Sequence, residues 1–272
     1  MRRLLIDIDQ RLLGLAFGVQ EYCLLGARAA RFVVGRPFYW QDVLIQMDRL
    51  GVGSLPVVLI TAAFTGMVLS LQTSLQLRQF GSEALLGNLV AVAMVREAGP
   101  VLGALAAAGR VSSGIAAELG TMKVTEQIDA LETIGTDPIK KLVTPRLLAG
   151  VIMLPVLIII ADVMGILGGL LIAVFKVEIP AQTYLQGALS SMARNGFLFG
   201  FFPAIFLSSI LKPLVSGAII ALTGCYHGLT VEGGAEAVGR AATRAMVMSF
   251  ILLVLADYAM TELLLELLQR DH

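Results

Sequence analysis

Residues 51–77 run without a single charged side chain. A helix of that length rises about 40 Å, enough to cross the roughly 30 Å hydrocarbon core of a bilayer with some tilt. Four further apolar stretches follow. Residues 84 to about 109 are apolar except for Arg96-Glu97, and continue as a polar, small-residue helix. Residues 147–175 carry one Asp162, and 195–223 are interrupted by Lys212-Pro213. Residues 245 to about 268 hold Asp257, Glu262 and Glu266 towards their end. Composition agrees: 15% of residues are charged and mean hydropathy is +0.84, where soluble domains carry about a quarter charged residues. The expected fold class is all-α, a polytopic integral membrane protein with five transmembrane helices. The spans are TM1 at about 51–77, TM2 at 84–119, TM3 at 147–175, TM4 at 195–223 and TM5 at 240–268, together forming one membrane domain over 51–272.

Residues 1–50 read as an interfacial helix followed by an elbow helix. At 100° per residue Leu4, Leu5, Ile8, Leu12, Leu15, Ala16, Val19 and Tyr22 fall within about 120°, with Arg2, Arg3, Asp7, Asp9, Gln10, Gln20 and Glu21 on or beside the other face. That amphipathic pattern fits a helix lying in the membrane interface, and also one packed on soluble protein. Arg28, Arg31, Arg36 and Arg49 follow, with Phe38, Tyr39 and Trp40 between them, the mix that marks a membrane–water boundary. An elbow helix is expected from about Tyr39 to Leu50. Residues 121–146 are too charged to cross, 176–194 read as a polar loop with Pro180, and 224–244 as a glycine-rich loop and helix start. Of the 20 basic residues, fifteen fall on the side of the N-terminus, 110–146 and 212–244, and four on the other, with Arg96 counted as intramembrane. The positive-inside rule then places the N-terminus in the cytoplasm and the C-terminus outside.

Several chemistries find no support. Cys23 and Cys225 lack CxxC spacing, and His227 and His272 have no carboxylate at ligand spacing, so a disulfide framework or metal site is not expected. No Gly-Lys dipeptide occurs, so the chain has no P-loop. Use of ATP would fall to another chain.

The segment 121–138 suggests a short rigid helix between two spans. Thr125 is placed to cap it, Glu126 and Asp129 lie in its first turn, Gly135 stops it, and Asp137-Pro138 begins the turn towards TM3. Such a helix either transmits force to a soluble partner or is a plain connector. The stretch REAGPVLGALAAAGRVSSGIAAELGTMKVTEQIDALETIGTDPIKKLVTPRLLAG, residues 96–150, resembles the MlaE/YrbE family of ABC permeases almost end to end. GLTVEGGAEAVGRAATRAMVMS is similar to that family's TM4–TM5 loop, and GMVLSLQ to its TM1. Asp129-Ala130-Leu131 followed by Gly135 keeps the looser spacing of ABC importer loops.

The resemblance implies a homodimeric permease in the bacterial inner membrane that binds no cofactor itself. Its partners would be a cytoplasmic ATPase using ATP and Mg, an MCE protein on the periplasmic side, and in many relatives a STAS-domain protein. The ligand implied is phospholipid, and no nucleic acid, carried so as to maintain outer-membrane lipid asymmetry. The candidate ATPase-coupling residues are Glu118, Thr121, Lys123, Glu126, Asp129, Ala130, Glu132, Gly135, Asp137 and Pro138.

Arg96 and Glu97 are the sharpest anomaly of the spans. A charge at mid-bilayer costs about 2.5–3.5 kcal/mol on insertion scales and faces protein or a wet cavity. Straight α-helical spacing puts Arg96 over Gly99 and Gly103, and Glu97 over Val101, Ala104 and Ala108, so both point into the bundle. They either pair there to hold the fold or border a lipid route. Asp162, Asp257 and Lys212 raise the same question, with structural pairing the better reading. The outer half of TM1 alternates Leu with Ser, Gln and Thr, which suits a cavity taking acyl chains and a head group, or a helix end at headgroup level. The candidate lipid-cavity residues are Leu69, Gln72, Thr73, Gln76, Leu77, Arg96 and Glu97. A permease for another hydrophobic substrate, a sterol or organic solvent, is the alternative.

Overall fold

The computed structural model describes residues 2–33, 35, 39–194, 197–198 and 202–270; among these, the side chains of 2–16, 193–207, 265 and 267–270 are outside the description. Helix α1 spans Arg2–Val33 and α2 spans Trp40–Leu50. TM1 is α3 (Leu55–Gln79). TM2 is α4 (Leu86–Ala93), a five-residue π-helical turn (Met94–Ala98) and α5 (Gly99–Val124). The short α6 (Gln127–Thr133) leads through a second π turn (Ile139–Val143) into α7 (Thr144–Phe175), which is TM3. After α8 (Ala181–Arg194) come TM4, α9 (Ala204–Leu229), and TM5, α10 (Ala235–Arg270). Among the described residues, five helical segments are long and apolar enough to cross a membrane. Six of the eight residues expected on the apolar face of α1, Leu4 to Ala16, lie outside the described side chains, as do Met1, Asp271 and His272 altogether.

Lipid tails are as apolar as leucine, so helices in a bilayer associate where small residues let backbones touch. TM1 and TM3 do this most closely: a Cβ on Gly66 would lie 1.8 Å from the Gly165 carbonyl oxygen. TM3 and TM4 repeat the device, with a Cβ on Gly217 falling 2.2 Å from the Gly150 oxygen. The buried stripe of TM1 is Val58, Ala62, Gly66, Ser70, Ser74 and Leu77, a helical repeat of small residues laid against TM3.

Two expectations for the outer side are corrected. The polar loop at 176–194 is largely the helix α8. Tyr184, Ala188 and Ser191 recur at helical spacing and are buried against α4, and the Tyr184 hydroxyl donates to the Ile166 carbonyl at 3.2 Å. TM4 does not begin at 195: Phe197–Leu198 pairs antiparallel with Phe202–Pro203, and α9 starts at Ala204. At its other end α9 runs to Leu229, into the stretch expected to be loop, which leaves 230–234 as the turn before α10.

Candidate functional site

Pro100 creates the site. Having no N–H, it cannot serve the Arg96 carbonyl in an α pattern or the Val95 carbonyl in a π pattern. The preceding donor, Gly99 N–H, is spent on Met94 O across the π turn. Two carbonyls are thus freed within a membrane span, where no water is at hand and neighbouring helices must supply donors. TM4 supplies them from successive turns. The Ser209 hydroxyl reaches Val95 O at 3.1 Å, with Ser208 at 3.4 Å, and Lys212 Nζ donates to Arg96 O at 3.1 Å.

Lys212 then gathers the charges. Its ammonium lies 2.7 Å from Glu97 Oε2 and 3.2 Å from Asp257 Oδ1 of TM5, with its side chain 3% exposed. Three spans are clasped through one lysine. Asp162 of TM3 stands behind them: one oxygen lies 2.8 Å from the Ser209 hydroxyl, whose single proton serves either it or Val95 O, with Ser208 the second donor at that carbonyl, while the other oxygen has no partner among the described residues. The structural pairing expected for Lys212 and Asp257 is therefore present, and it is with each other and with Glu97.

Glu97 departs from its expected orientation. Ala104 and Ala108 are buried, yet the Glu97 side chain is 48% exposed. An extra residue in the π turn rotates what precedes it by about 100° relative to α5, which turns Glu97 away from the face that straight spacing assigned. Its carboxylate is held from behind by Lys212 and open in front. Arg96 is partly buried, and its guanidinium forms no ion pair among the described residues.

The TM1 candidates divide. Gln72 and Gln76 are exposed, Thr73 is intermediate, and Leu69 and Leu77 pack into the cluster around Leu86, Val90 and Tyr184. Leu77 is thus a core residue and not part of an open cavity wall. The Leu–polar alternation in the sequence masked a helical stripe whose buried members include Ser70 and Ser74.

At the other end of TM2 the coupling segment is shorter than expected. Thr121, Lys123 and Thr125 belong to the end of α5; the Thr125 hydroxyl donates back to Thr121 O at 2.8 Å and caps nothing ahead of it. The kink between the helices is made by Glu126 in the left-handed conformation, φ 59°. The stop is as expected: Gly135 has φ +77°, Thr136 N–H bonds Leu131 O and Gly135 N–H bonds Glu132 O, a Schellman closure. Asp137 then caps the next turn by accepting from Ile139 N–H at 2.8 Å, with Pro138 just inside it. Asp129, Ala130 and Glu132 face outwards, and Ile134, which sequence reasoning passed over, is 74% exposed at the helix end. Glu118 is different: its two oxygens hold Arg49 at 2.9 Å and the buried Arg146 at 3.1 Å, tying α2, TM2 and TM3 together.

Comparison with known proteins decides the family. The model of the MlaE permease family matches residues 43–263. The chain belongs to this MlaE permease family. It is 38% identical over 257 residues to a probable ABC transporter permease protein of Rickettsia bellii, covering 94% of this chain and 96% of the relative. It is 34% identical over 253 residues, 92% of each chain, to the intermembrane phospholipid transport system permease protein MlaE of Haemophilus influenzae. The chloroplastic protein trigalactosyldiacylglycerol 1 of Arabidopsis thaliana is 33% identical over 244 residues, 90% of this chain and 67% of that one. This is an ABC transporter permease, a multi-pass membrane subunit.

Within this MlaE-family chain the clasp residues Ser208 and Ser209 were passed over by sequence reasoning, while Lys212, Asp257 and Asp162 were read as structural pairs without their partners being named. Pro100 followed by a distant Ser-Ser-x-x-Lys is the signal that points to the two serines, because a span left with two carbonyls lacking an N–H needs donors from elsewhere.

Proposed function

We propose that the chain is the membrane subunit of an ATP-driven phospholipid transporter. The observation that carries this reading is the Glu97 carboxylate: fixed by Lys212, half open, and next in sequence to Arg96, which makes no ion pair among the described residues, within a membrane-spanning segment. A bilayer span tolerates such a pair where it meets something amphipathic and wet. A phospholipid head group offers a phosphate for Arg96, and its chains need the apolar walls nearby. The name of the Haemophilus relative supports phospholipid as the cargo. Gln72 and Gln76, exposed on TM1, are further wall residues in this reading, with Thr73 beside them and Leu69 backing them.

Two copies of the chain face each other across the lipid route. A separate ATPase chain docks on α6, contacting Glu126, Asp129, Ala130, Glu132 and the exposed Ile134. Lys123 holds Asp129 at 2.7 Å and so sets the angle of that helix, while Thr121, Gly135, Asp137 and Pro138 shape its ends. Glu118 acts behind the helix through its two arginines. An MCE protein on the periplasmic face exchanges lipid with the cavity, and a STAS-domain protein binds the ATPase. The assembly sits in the bacterial inner membrane, N-terminus in the cytoplasm and C-terminus in the periplasm, and serves outer-membrane lipid asymmetry.

A photo-crosslinker at Gln72 or Gln76, in the complex purified in mild detergent, tests the cargo. Phospholipid is expected at both, well above capture at Val163 on the exposed face of TM3. Equal capture at all three would mean bulk membrane contact. A sterol or organic solvent in its place would make this a permease for that substrate.

A further inference from the structure

A groove with room for lipid lies away from the residues of the proposed transport route. Between α1, the end of TM4 and the start of TM5 is a groove of about 1050 Å³. One wall is Val19 and Tyr22 of α1, and the other is Arg240, Arg244, Val247 and Ile251 on successive turns of α10. The floor is Tyr226, whose ring meets Tyr22 edge-on at 5.9 Å. Helix α1 is thus anchored to TM4, and the groove opens between it and TM5.

The groove has a charged end and an apolar end. Val247 and Ile251 are 47% and 52% exposed and continue into the membrane-facing surface of TM5. One to two turns before them stand Arg240 and Arg244. Arg240 is engaged by Glu236 one turn earlier, at 2.5 Å, whereas Arg244 makes no ion pair among the described residues. Arg244 and Ile251 are seven residues apart, about 10 Å along the helix. A cation at headgroup level, above an apolar slot of that depth, complements an anionic head group followed by an acyl chain.

We propose that this groove binds an anionic phospholipid of the cytoplasmic leaflet, at a site separate from the transport cavity. Arg244 takes the head group, and Val247 and Ile251 flank the proximal part of one chain. The lipid fills the gap between α1 and TM5 and fixes the interfacial helix against the bundle. The leaflet assignment rests on the orientation proposed above; the preference for negative charge rests on the groove alone.

The test uses the full chain with its partner subunits in vesicles of phosphatidylcholine with a minor fraction of phosphatidylglycerol. A photo-crosslinker at Val247 captures lipid for mass spectrometry. Phosphatidylglycerol is expected several-fold above its bulk ratio. Arg244→Gln should lower that enrichment about fivefold, the weight of one basic residue at a membrane surface, and Arg244→Lys should retain it. Capture at the bulk ratio in the unsubstituted protein, an unchanged ratio in Arg244→Gln, or crosslinking to protein instead of lipid would each overturn the site. Capture at Gln72, read in the same samples, reports the transport cavity separately. Loss of lipid there with the Val247 preference intact would overturn the transport reading and leave this one standing.

Discussion

The charges in the middle of TM2 and those just past its end obey different rules. At the Pro100 turn, Lys212 is 3% exposed and serves two carboxylates and a carbonyl. At the coupling helix, Lys123 and Asp129 are 35% and 51% exposed and pair with each other at the surface. Removing one partner of a buried group strands the rest in a poor solvent, which costs about 3–5 kcal/mol in soluble proteins. Breaking an exposed pair typically costs about 0.2–1 kcal/mol. The inner region is therefore where sequence changes decide whether the bundle forms, and the outer one where they adjust how it is read by a partner.

Lys212→Met should show the largest effect. It leaves Glu97 and Asp257 facing each other without a cation, so the yield of detergent-stable protein and its melting temperature should fall sharply. Adding Glu97→Gln and Asp257→Asn should recover much of the yield, because no stranded charge remains. A single variant as stable as the unsubstituted chain would remove the clasp from the account. Gly66→Leu comes next: the new side chain would press on the TM3 backbone at Gly165, and overpacking costs typically about 1–3 kcal/mol. Gly114→Ala, with nothing within 4 Å of the new methyl, should be neutral or slightly stabilising. Equal melting points for the two would contradict the close approach.

Gly135→Val acts locally. Its φ of +77° strains any residue with a Cβ by about 1–3 kcal/mol, though no neighbour crowds the position. The expected outcome is a dimer that still assembles while ATP hydrolysis loses its dependence on the permease; unchanged coupling would sink the role given to α6. Lys123→Gln should be the mildest, shifting the melting temperature barely at all. A loss as large as that of Lys212→Met would erase the distinction between the two regions.

How far the sequence carried the structure follows the same division. The five spans were legible because long, predominantly apolar runs favour a membrane-spanning helix even where one or two charges interrupt them. Gly135 was legible because a left-handed stop favours glycine. Thr125 misled because Thr is a good cap in general, and nothing local announces that Glu126 will take the left-handed turn and restart the helix. The orientation of Glu97 was lost because a 100° count assumes an unbroken α-helix, and the π turn at Met94–Ala98 breaks it at Glu97 itself. The partners of Lys212 were out of reach for another reason: Glu97 is 115 residues away along the chain, and pairing at that distance is a fact of packing, not of pattern. α8 was missed although Tyr184, Ala188 and Ser191 carry helical spacing, because the stretch is polar enough to pass for a loop.

Glu97→Gln tests the central claim most directly. The substitution keeps the shape and most hydrogen bonding of the side chain, and Lys212 retains Asp257 as its counter-ion, so the clasp should hold. Melting temperature, complex yield and lipid transfer are to be measured on the same preparations. The account predicts normal assembly and ATPase binding with transfer reduced at least tenfold, a ratio worth about 1.4 kcal/mol. Normal transfer, or transfer that falls only in step with yield, would contradict it and leave Glu97 a purely structural member of the clasp.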